Sequence, residues 1–406
     1  MRKYKLKNHE VDEVELKCLV ISNGVKIAPE IYRKLSGKYR IYPNALTCNC
    51  MKLPDGTIVM ATDLSFHLST LSSMFSWDNL KLFKYMSDMK TDFALTLSAG
   101  GPVLLYAGNE VCPVSFLPGT KFFAQKTSSG MPFIGNAVLQ GCNWVAFQCL
   151  WPCEYAMAGK PCQYCFSGGQ FQALAKRKKP MPFIPSPLDV AEVVRYAIDH
   201  DRADSIQITG GSTFDANTEA QYITDYMIAL NEHVGLKNIK GEILLYITPP
   251  KDIGLIDRYF ELGADRIACS LEVWDDKLAG EITPGKREYT TKQRHLDSLT
   301  AIAEKHGPGK AFSNFIIGLE PVETLREGAA YLAERGVIPS ASVWMPFGKP
   351  VMGSVKAPDA DYYRAVKEML GELYVKYKLK PAGGCGLNVC VERDIWNWAT
   401  DSSTNK

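Results

Sequence analysis

The chain has 406 residues, enough for one large domain or a large domain with a smaller companion. Its 46% apolar and 22% charged content suits a soluble globular protein, and a formal net charge of +2 excludes a broad electrostatic footprint for nucleic acid. No apolar run is long enough for a membrane span, and Met1 to Lys7 leads into Asn8-His9-Glu10 instead of an apolar signal segment, so the expectation is cytoplasmic, without nucleic-acid or membrane partners.

Residues 1–128 show no regular alternation and read as a small mixed α+β region of unassigned role. Leu19-Val20-Ile21 and Ile58–Met60 predict short strands, the second entered by the turn Leu53-Pro54-Asp55-Gly56. Leu64 to Met89 predicts one or two helices, and Pro102–Tyr106 and Val111–Phe116 another pair of strands. Residues 129–350 are organised differently. Phe133 to Gln140 predicts a strand that feeds a cysteine-rich loop. Ser186-Pro187-Leu188-Asp189 then opens a helix with a serine cap, a proline in the first turn and an acid three residues on.

Strand and helix alternate from there. Strands are expected over Ser205–Thr209, Glu242–Thr248, Arg266–Val273, Ala311–Ile317 and Ser340–Met345. Between them the spacing predicts helices from about Thr218 to a Gly235 cap, over Ile253–Leu262, Lys292–Glu304 and Thr324–Glu334. Residues 351–406 hold a last helix, Asp359–Tyr377, and a tail. Six strand-plus-helix units imply a parallel sheet whose right-handed crossovers curl it into an α/β partial barrel, with any site at the carboxyl ends of the strands.

The loop after the first expected strand, Gln148 to Gly169, carries Cys149, Cys153, Cys162 and Cys165, with Tyr164 directly before the last. Pro152 and Pro161 stiffen it and Gly159 and Gly168-Gly169 let it turn. Twelve cysteines without a secretory signal argue for a reducing compartment and against disulfides. All four thiols could close a structural zinc site, whereas three could hold an iron–sulfur cluster with one iron open to a ligand. The basic run Lys176-Arg177-Lys178-Lys179 reads as a solvated edge or as a contact for an acidic electron carrier.

Other residues at strand ends admit both a plain and a chemical reading. Gly210-Gly211-Ser212 is a tight turn, or a place where backbone groups meet an amino-acid-like ligand. Ser270 and Glu272 end the fourth strand, as surface groups or as ribose acceptors. Arg294 is a helix-face charge or a bidentate partner for a carboxylate. The glycine in Phe315-Ile316-Ile317-Gly318-Leu319-Glu320 eases strand packing or lets a flat ring approach.

In this order the motifs resemble the radical SAM superfamily over about residues 131–347. Cys162-Gln163-Tyr164-Cys165 is similar to the family's closing Cys-x-aromatic-Cys, although eight residues separate Cys153 from Cys162 where the family usually has three between its first two ligands. The resemblance implies a partial six-fold βα barrel, a [4Fe-4S] cluster on Cys153, Cys162 and Cys165, with Cys149 the alternative first ligand, and S-adenosylmethionine bound at the open iron. It also implies that Gly210, Gly211 and Ser212 meet the methionine amine, that Ser270 and Glu272 meet the ribose, and that Ile317 and Gly318 meet the adenine. Arg294 resembles, more loosely, a carboxylate partner of the biotin-synthase-like branch. The implied activity is reductive cleavage of S-adenosylmethionine to a 5′-deoxyadenosyl radical that takes hydrogen from a small-molecule substrate. A low-potential donor such as flavodoxin or ferredoxin would supply the electron. Cys48 with Cys50, or Cys385 with Cys390, are candidates for an auxiliary cluster or buried small side chains.

Overall fold

The computed structural model describes residues 2–7, 9–42, 49–63, 90–133, 137–150, 152–165, 185–345, 355–382 and 389–403. The expected helices over residues 64–89, the basic run at 176–179, and Cys48 and Cys385 lie outside them.

Among the described residues the N-terminal region carries three small sheets. β1 (Tyr4–Leu6) pairs with β2 (His9–Val11); β3 (Lys26–Ile27), β6 (Phe93–Ser98), β7 (Gly101–Tyr106) and β8 (Asn109–Pro113) follow one another in a second sheet; β4 (Cys50–Lys52) lies between β5 (Ile58–Met60) and β9 (Ser115–Phe116). The strands expected at 58–60 and 102–106 are present, and the one expected over 111–116 is divided between β8 and β9. Leu19-Val20-Ile21, expected as a strand, lies instead inside helix α1 (Glu13–Asn23). Asp12 and Glu15 form its capping box, with Asp12 Oδ1 accepting from the Val14 and Glu15 N–H groups at 3.1 and 3.0 Å. Nearly the whole helix is buried, so it has no amphipathic period, and its apolar run is ambiguous between strand and core helix. Helix α2 (Pro29–Leu35) follows.

The second half is one sheet in the order β10 (Ala137–Gln140), β11 (Trp144–Leu150), β12 (Ser205–Gly210), β13 (Ile243–Tyr246), β14 (Arg266–Ala268), β15 (Ala311–Ile317) and β16 (Ile338–Val343). From β11 to β16 every pairing is parallel, and the sheet curls into a half-barrel. The strand that feeds the cysteine loop is β11, not the expected segment 133–140. Its residues 137–140 form β10, which turns at Gly141 (φ +50°) and pairs antiparallel with β11 as the sheet's edge. Trp144 to Leu150 is a near-continuous apolar run, as a strand covered on both faces requires.

Around the sheet lie α3 (Glu154–Met157), α4 (Pro187–His200), α5 (Ala216–His233), α6 (Gly254–Glu261), α7 (Asp276–Ile282), α8 (Lys292–His306), α9 (Val322–Ala333), α10 (Ala360–Tyr377) and α11 (Glu392–Ser403). Ser186 caps α4 as its sequence implies, sharing a capping box with Asp189. Helices α7 and α11 were not foreseen. Beyond β16, Val343 N–H donates to the Val389 carbonyl (2.9 Å) and Val391 N–H to the Ala341 carbonyl (3.0 Å). The segment at 389–391 therefore runs antiparallel against β16, so both edges of the parallel array are covered.

Helix α1 joins the two halves. Lys367 on α10 is buried and donates to Asp12, and to Glu15 at 2.7 Å, while Lys17 reaches Asp394 on α11 at 2.6 Å. These buried ions hold the N-terminal helix against the C-terminal pair behind β16.

Candidate cofactor site on the barrel rim

A cavity of about 370 Å³ opens at the carboxyl ends of the parallel strands. Cys153, Cys162 and Cys165 line it together with Tyr164, Gly210, Gly211 and Ser212. The loop that carries the thiols is fastened to β12 from the first residue after β11. Gly211 N–H donates to the Leu150 carbonyl (2.9 Å), Glu154 N–H to the Ser212 carbonyl (2.8 Å), and Ser212 N–H points at Cys153 Sγ at 3.5 Å. A Cβ on Gly211 would stand 2.5 Å from Cys153 Cα, so the glycine is what allows the cysteine backbone to lie on the strand end. A second glycine does the same on the other side, since a Cβ on Gly285 would fall 2.6 Å from the Lys160 carbonyl oxygen. Gln163 N–H adds a bond to the Ile282 carbonyl (2.8 Å).

Cys149 is placed elsewhere. Strand alternation sends Gln148 into the cavity and Cys149 to the opposite face, where it is buried and its thiol donates to the Thr209 carbonyl at 3.4 Å. Burial, with Glu219 nearby, pushes that thiol well above its usual range. It is a core side chain, turned away from the cavity that the other three thiols line. Among the described residues no three His, Cys, Asp or Glu side chains stand close enough to hold a single metal ion. A four-iron cluster makes a different demand, because each thiolate bonds a different iron and the three sulfurs need only surround a common space. Burial raises the Cys162 thiol to about 12, with the Lys286 ammonium opposing.

Across the cavity stands a polar knot that sequence reasoning met only in part. Glu272 follows β14 with φ +69°, a left-handed conformation unusual for a non-glycine residue and held by its backbone bridge to β15. Its Oε1 accepts from Lys286 Nζ at 2.8 Å and its Oε2 from Asn314 Nδ2 at 2.9 Å. Burial, with Cys162 and Glu272 nearby, raises the Tyr164 hydroxyl well above its usual range. Lys286 also donates to the Ser270 carbonyl at 2.7 Å, and Ser270 lines the cavity beside it. Lys286 lies in a single wide turn, Lys286–Thr290, with nothing in its local sequence to set it apart from a surface lysine.

Arg294 does not line the cavity. Its Nε donates to the Thr290 carbonyl at 3.1 Å and its Nη2 to the Tyr289 carbonyl, closing the turn that carries Lys286. Among the described residues the cation lining the cavity is Lys286. On β15 the side chains facing the cavity are Asn314 and Ile316; Ile317 is buried behind them, and the Gly318 N–H (φ +108°) donates to the Tyr362 hydroxyl at 2.9 Å. Trp344, at the end of β16, packs with Ile316 and Tyr164, and its indole N–H is buried without a partner among the described residues. His295 also lines the cavity; its Nδ1 lies 2.8 Å from the Thr291 carbonyl, and burial followed by Lys286 lowers it to about 3, so it is neutral.

Residues 158–331 match the family described as Radical SAM superfamily. The bacteriochlorophyllide c C-7(1)-hydroxylase of Chlorobaculum limnaeum is 26% identical over 262 residues, which is 62% of this chain and 65% of that protein. Among solved structures, the FeFe-hydrogenase maturase HydG of Carboxydothermus hydrogenoformans has a TM-score of 0.40 at 17% identity, covering 58% of this chain and 53% of that one. A radical SAM methyltransferase from Sphaerobacter thermophilus has a TM-score of 0.40 at 13% identity, covering 74% and 80%. Members of the matched superfamily bind a [4Fe-4S] cluster and S-adenosylmethionine. The donor set fits that pair: three thiols around one space with the fourth turned away, and a carboxylate, an ammonium and a buried indole N–H on the facing wall.

Proposed function

We propose, from a chain that carries a radical SAM superfamily domain over residues 158–331, that the rim cavity is the active site of a radical SAM enzyme acting on a small molecule. The observation that carries this reading is the shared cavity of Cys153, Cys162, Cys165, Glu272 and Lys286. Cys153, Cys162 and Cys165 would hold the cluster, and Gly210, Gly211 and Ser212 would meet the methionine amine. Lys286 takes the carboxylate role expected of Arg294, because Arg294 is occupied by carbonyls of its own turn. Glu272 and Ser270 would receive the ribose, and Ile316 with Trp344 would flank the adenine, beside the backbone of Ile317 and Gly318. When bound, the two cofactors supply a 5′-deoxyadenosyl radical, which abstracts hydrogen from the substrate. The chain's own residues orient both groups and keep water from them. The electron comes from a low-potential carrier such as flavodoxin or ferredoxin.

The test is anaerobic. Protein reconstituted with iron and sulfide, then reduced, should convert S-adenosylmethionine slowly to 5′-deoxyadenosine and methionine. Stoichiometric zinc without iron uptake, or a loaded and reduced cluster that yields no 5′-deoxyadenosine, overturns the reading. A narrower second reading, hydroxylation of a bacteriochlorophyllide-type pigment, is supported by the similarity to the Chlorobaculum limnaeum hydroxylase. Stimulation of 5′-deoxyadenosine formation by such a pigment would support it, and indifference would count against it.

A further inference from the structure

The Glu272 carboxylate is held by two partners of different kinds. Lys286 reaches it on a flexible four-carbon stem and has a second acceptor, the Ser270 carbonyl, at 2.7 Å. Asn314 is buried on β15 and is held in turn: its Oδ1 accepts from Ser342 Oγ at 2.8 Å, and Cys390 Sγ lies 3.3 Å from that hydroxyl. Donor accounting gives this chain a direction. A carboxylate is acceptor-only, so the Asn314 amide must face Glu272 with its NH₂, and its carbonyl must face Ser342. Ser342 has one hydrogen, which goes to Asn314, so the Cys390 thiol donates to Ser342. An Asn314 flip would set carbonyl oxygen against carboxylate. The orientation of Glu272, at the left-handed φ of +69°, is thus fixed from β15 and β16, whereas its bond to Lys286 is free to exchange.

We infer that Asn314 is a positioning residue for the ribose of S-adenosylmethionine, acting through Glu272, with Ser342 locking the amide. The inference rests on the radical SAM reading of the cavity. Asn314 holds Oε2 so that the lone pairs left on the carboxylate face the cavity, and ribose hydroxyls meet an acceptor that needs no reorganisation. Lys286 can turn to another anionic group while Glu272 stays in place.

The experiment is equilibrium dialysis of the reconstituted, oxidised holoenzyme against S-adenosylmethionine and its 2′-deoxy and 3′-deoxy ribose analogues, with iron content measured in parallel. The wild type should prefer S-adenosylmethionine to at least one analogue by about 10-fold or more, since that analogue loses a bond to a charged acceptor. Asn314→Ala should shrink the preference to within about 3-fold, and Ser342→Ala, which leaves the Asn314 side chain in place, should give an intermediate value. Should Asn314→Ala fail to load iron, Ser342→Ala carries the test. Variants that weaken all three ligands equally, or keep the wild-type preference, overturn the inference alone. A wild type that binds S-adenosylmethionine and both analogues alike overturns the ribose role of Glu272 and this inference with it, and one that binds none overturns the reading of the cavity.

Discussion

Single side chains divide the four clustered thiols. Cys149 sits on the core face of β11 with its S–H bonded to a carbonyl, whereas Cys153, Cys162 and Cys165 reach the cavity. Cys149→Ala should therefore keep the full iron content and cluster absorption, and alanine at any of the other three should lose both. Iron lost in Cys149→Ala and retained in Cys153→Ala would reverse the assignment. The distinction was available in the sequence: once β11 is taken through Leu150, a period of two puts Gln148 and Cys149 on opposite faces. It is hidden when Phe133–Gln140 is taken as the strand that feeds the loop, because that segment ends before the hairpin at Gly141-Cys142-Asn143 and leaves Cys149 in the loop. Glu219 makes a second test at this scale. It is buried on α5, accepts from Thr248 N–H, and burial raises it to about 7 from an ordinary 4.5. Between those values the folded state binds the extra proton, so this group makes stability fall as pH rises, at most by roughly 3 kcal/mol. Glu219→Gln, which keeps an acceptor for Thr248, should be more stable than wild type at pH 8 and close to it at pH 5. Equal denaturation midpoints at pH 8 would show that the carboxyl does not carry this cost.

Elements were legible where local chemistry marks them and obscure where packing decides. The Ser186 box, the Gly235 turn after α5 and the helices α8, α9 and α10 could be read from caps and spacing. The Asp12–Glu15 box was equally present in the sequence, but the apolar run behind it outweighed it. Long-range pairing hid the rest: nothing near Lys286 announces Glu272, and nothing near Asn314 announces either. The same holds for Arg294, whose helical position suits a ligand partner until its own turn is seen to take the guanidinium. Helix α1 shows what such pairings contribute to the fold. Lys367 lies against Asp12 and Glu15, all three nearly inaccessible. Lys367→Met takes the ammonium from both buried carboxylates and leaves Arg364, 3.2 Å from Glu15 Oε1, as the cation beside that one of the two; breaking a buried pair from one side costs about 3–5 kcal/mol. Thermal unfolding of the variant should begin well below that of wild type, and Asp12→Asn together with Glu15→Gln in the same background should recover part of the loss. No recovery would mean that packing of the lysine stem, not its charge, holds α1.

At the scale of the whole molecule the question is how many clusters the chain carries. Cys18, Cys50, Cys112, Cys149, Cys269 and Cys390 are each buried, and none of them lines the cavity. Cys50 sits in β4 of an N-terminal sheet, paired with Met60, and Cys390 is committed as a donor to Ser342 behind β16. Burial raises Cys18, Cys112, Cys149, Cys269 and Cys390 above the usual thiol range as it does Cys162, so the rim thiols are set apart by their place on the cavity and not by their acidity. The fold thus gathers thiols at one place, where the half-barrel leaves its strand ends open and the cysteine loop closes over them. Reconstituted protein should accordingly bind about four irons and four sulfides per chain, the complement of one cubane cluster. The decisive comparison is the combined Cys153→Ala, Cys162→Ala and Cys165→Ala protein. Iron near zero in that variant is the expected result, because the described thiols that remain form no group of three that could hold a metal. About four irons retained would reveal a second cluster, built with Cys48 or Cys385, and would make the rim site one of two.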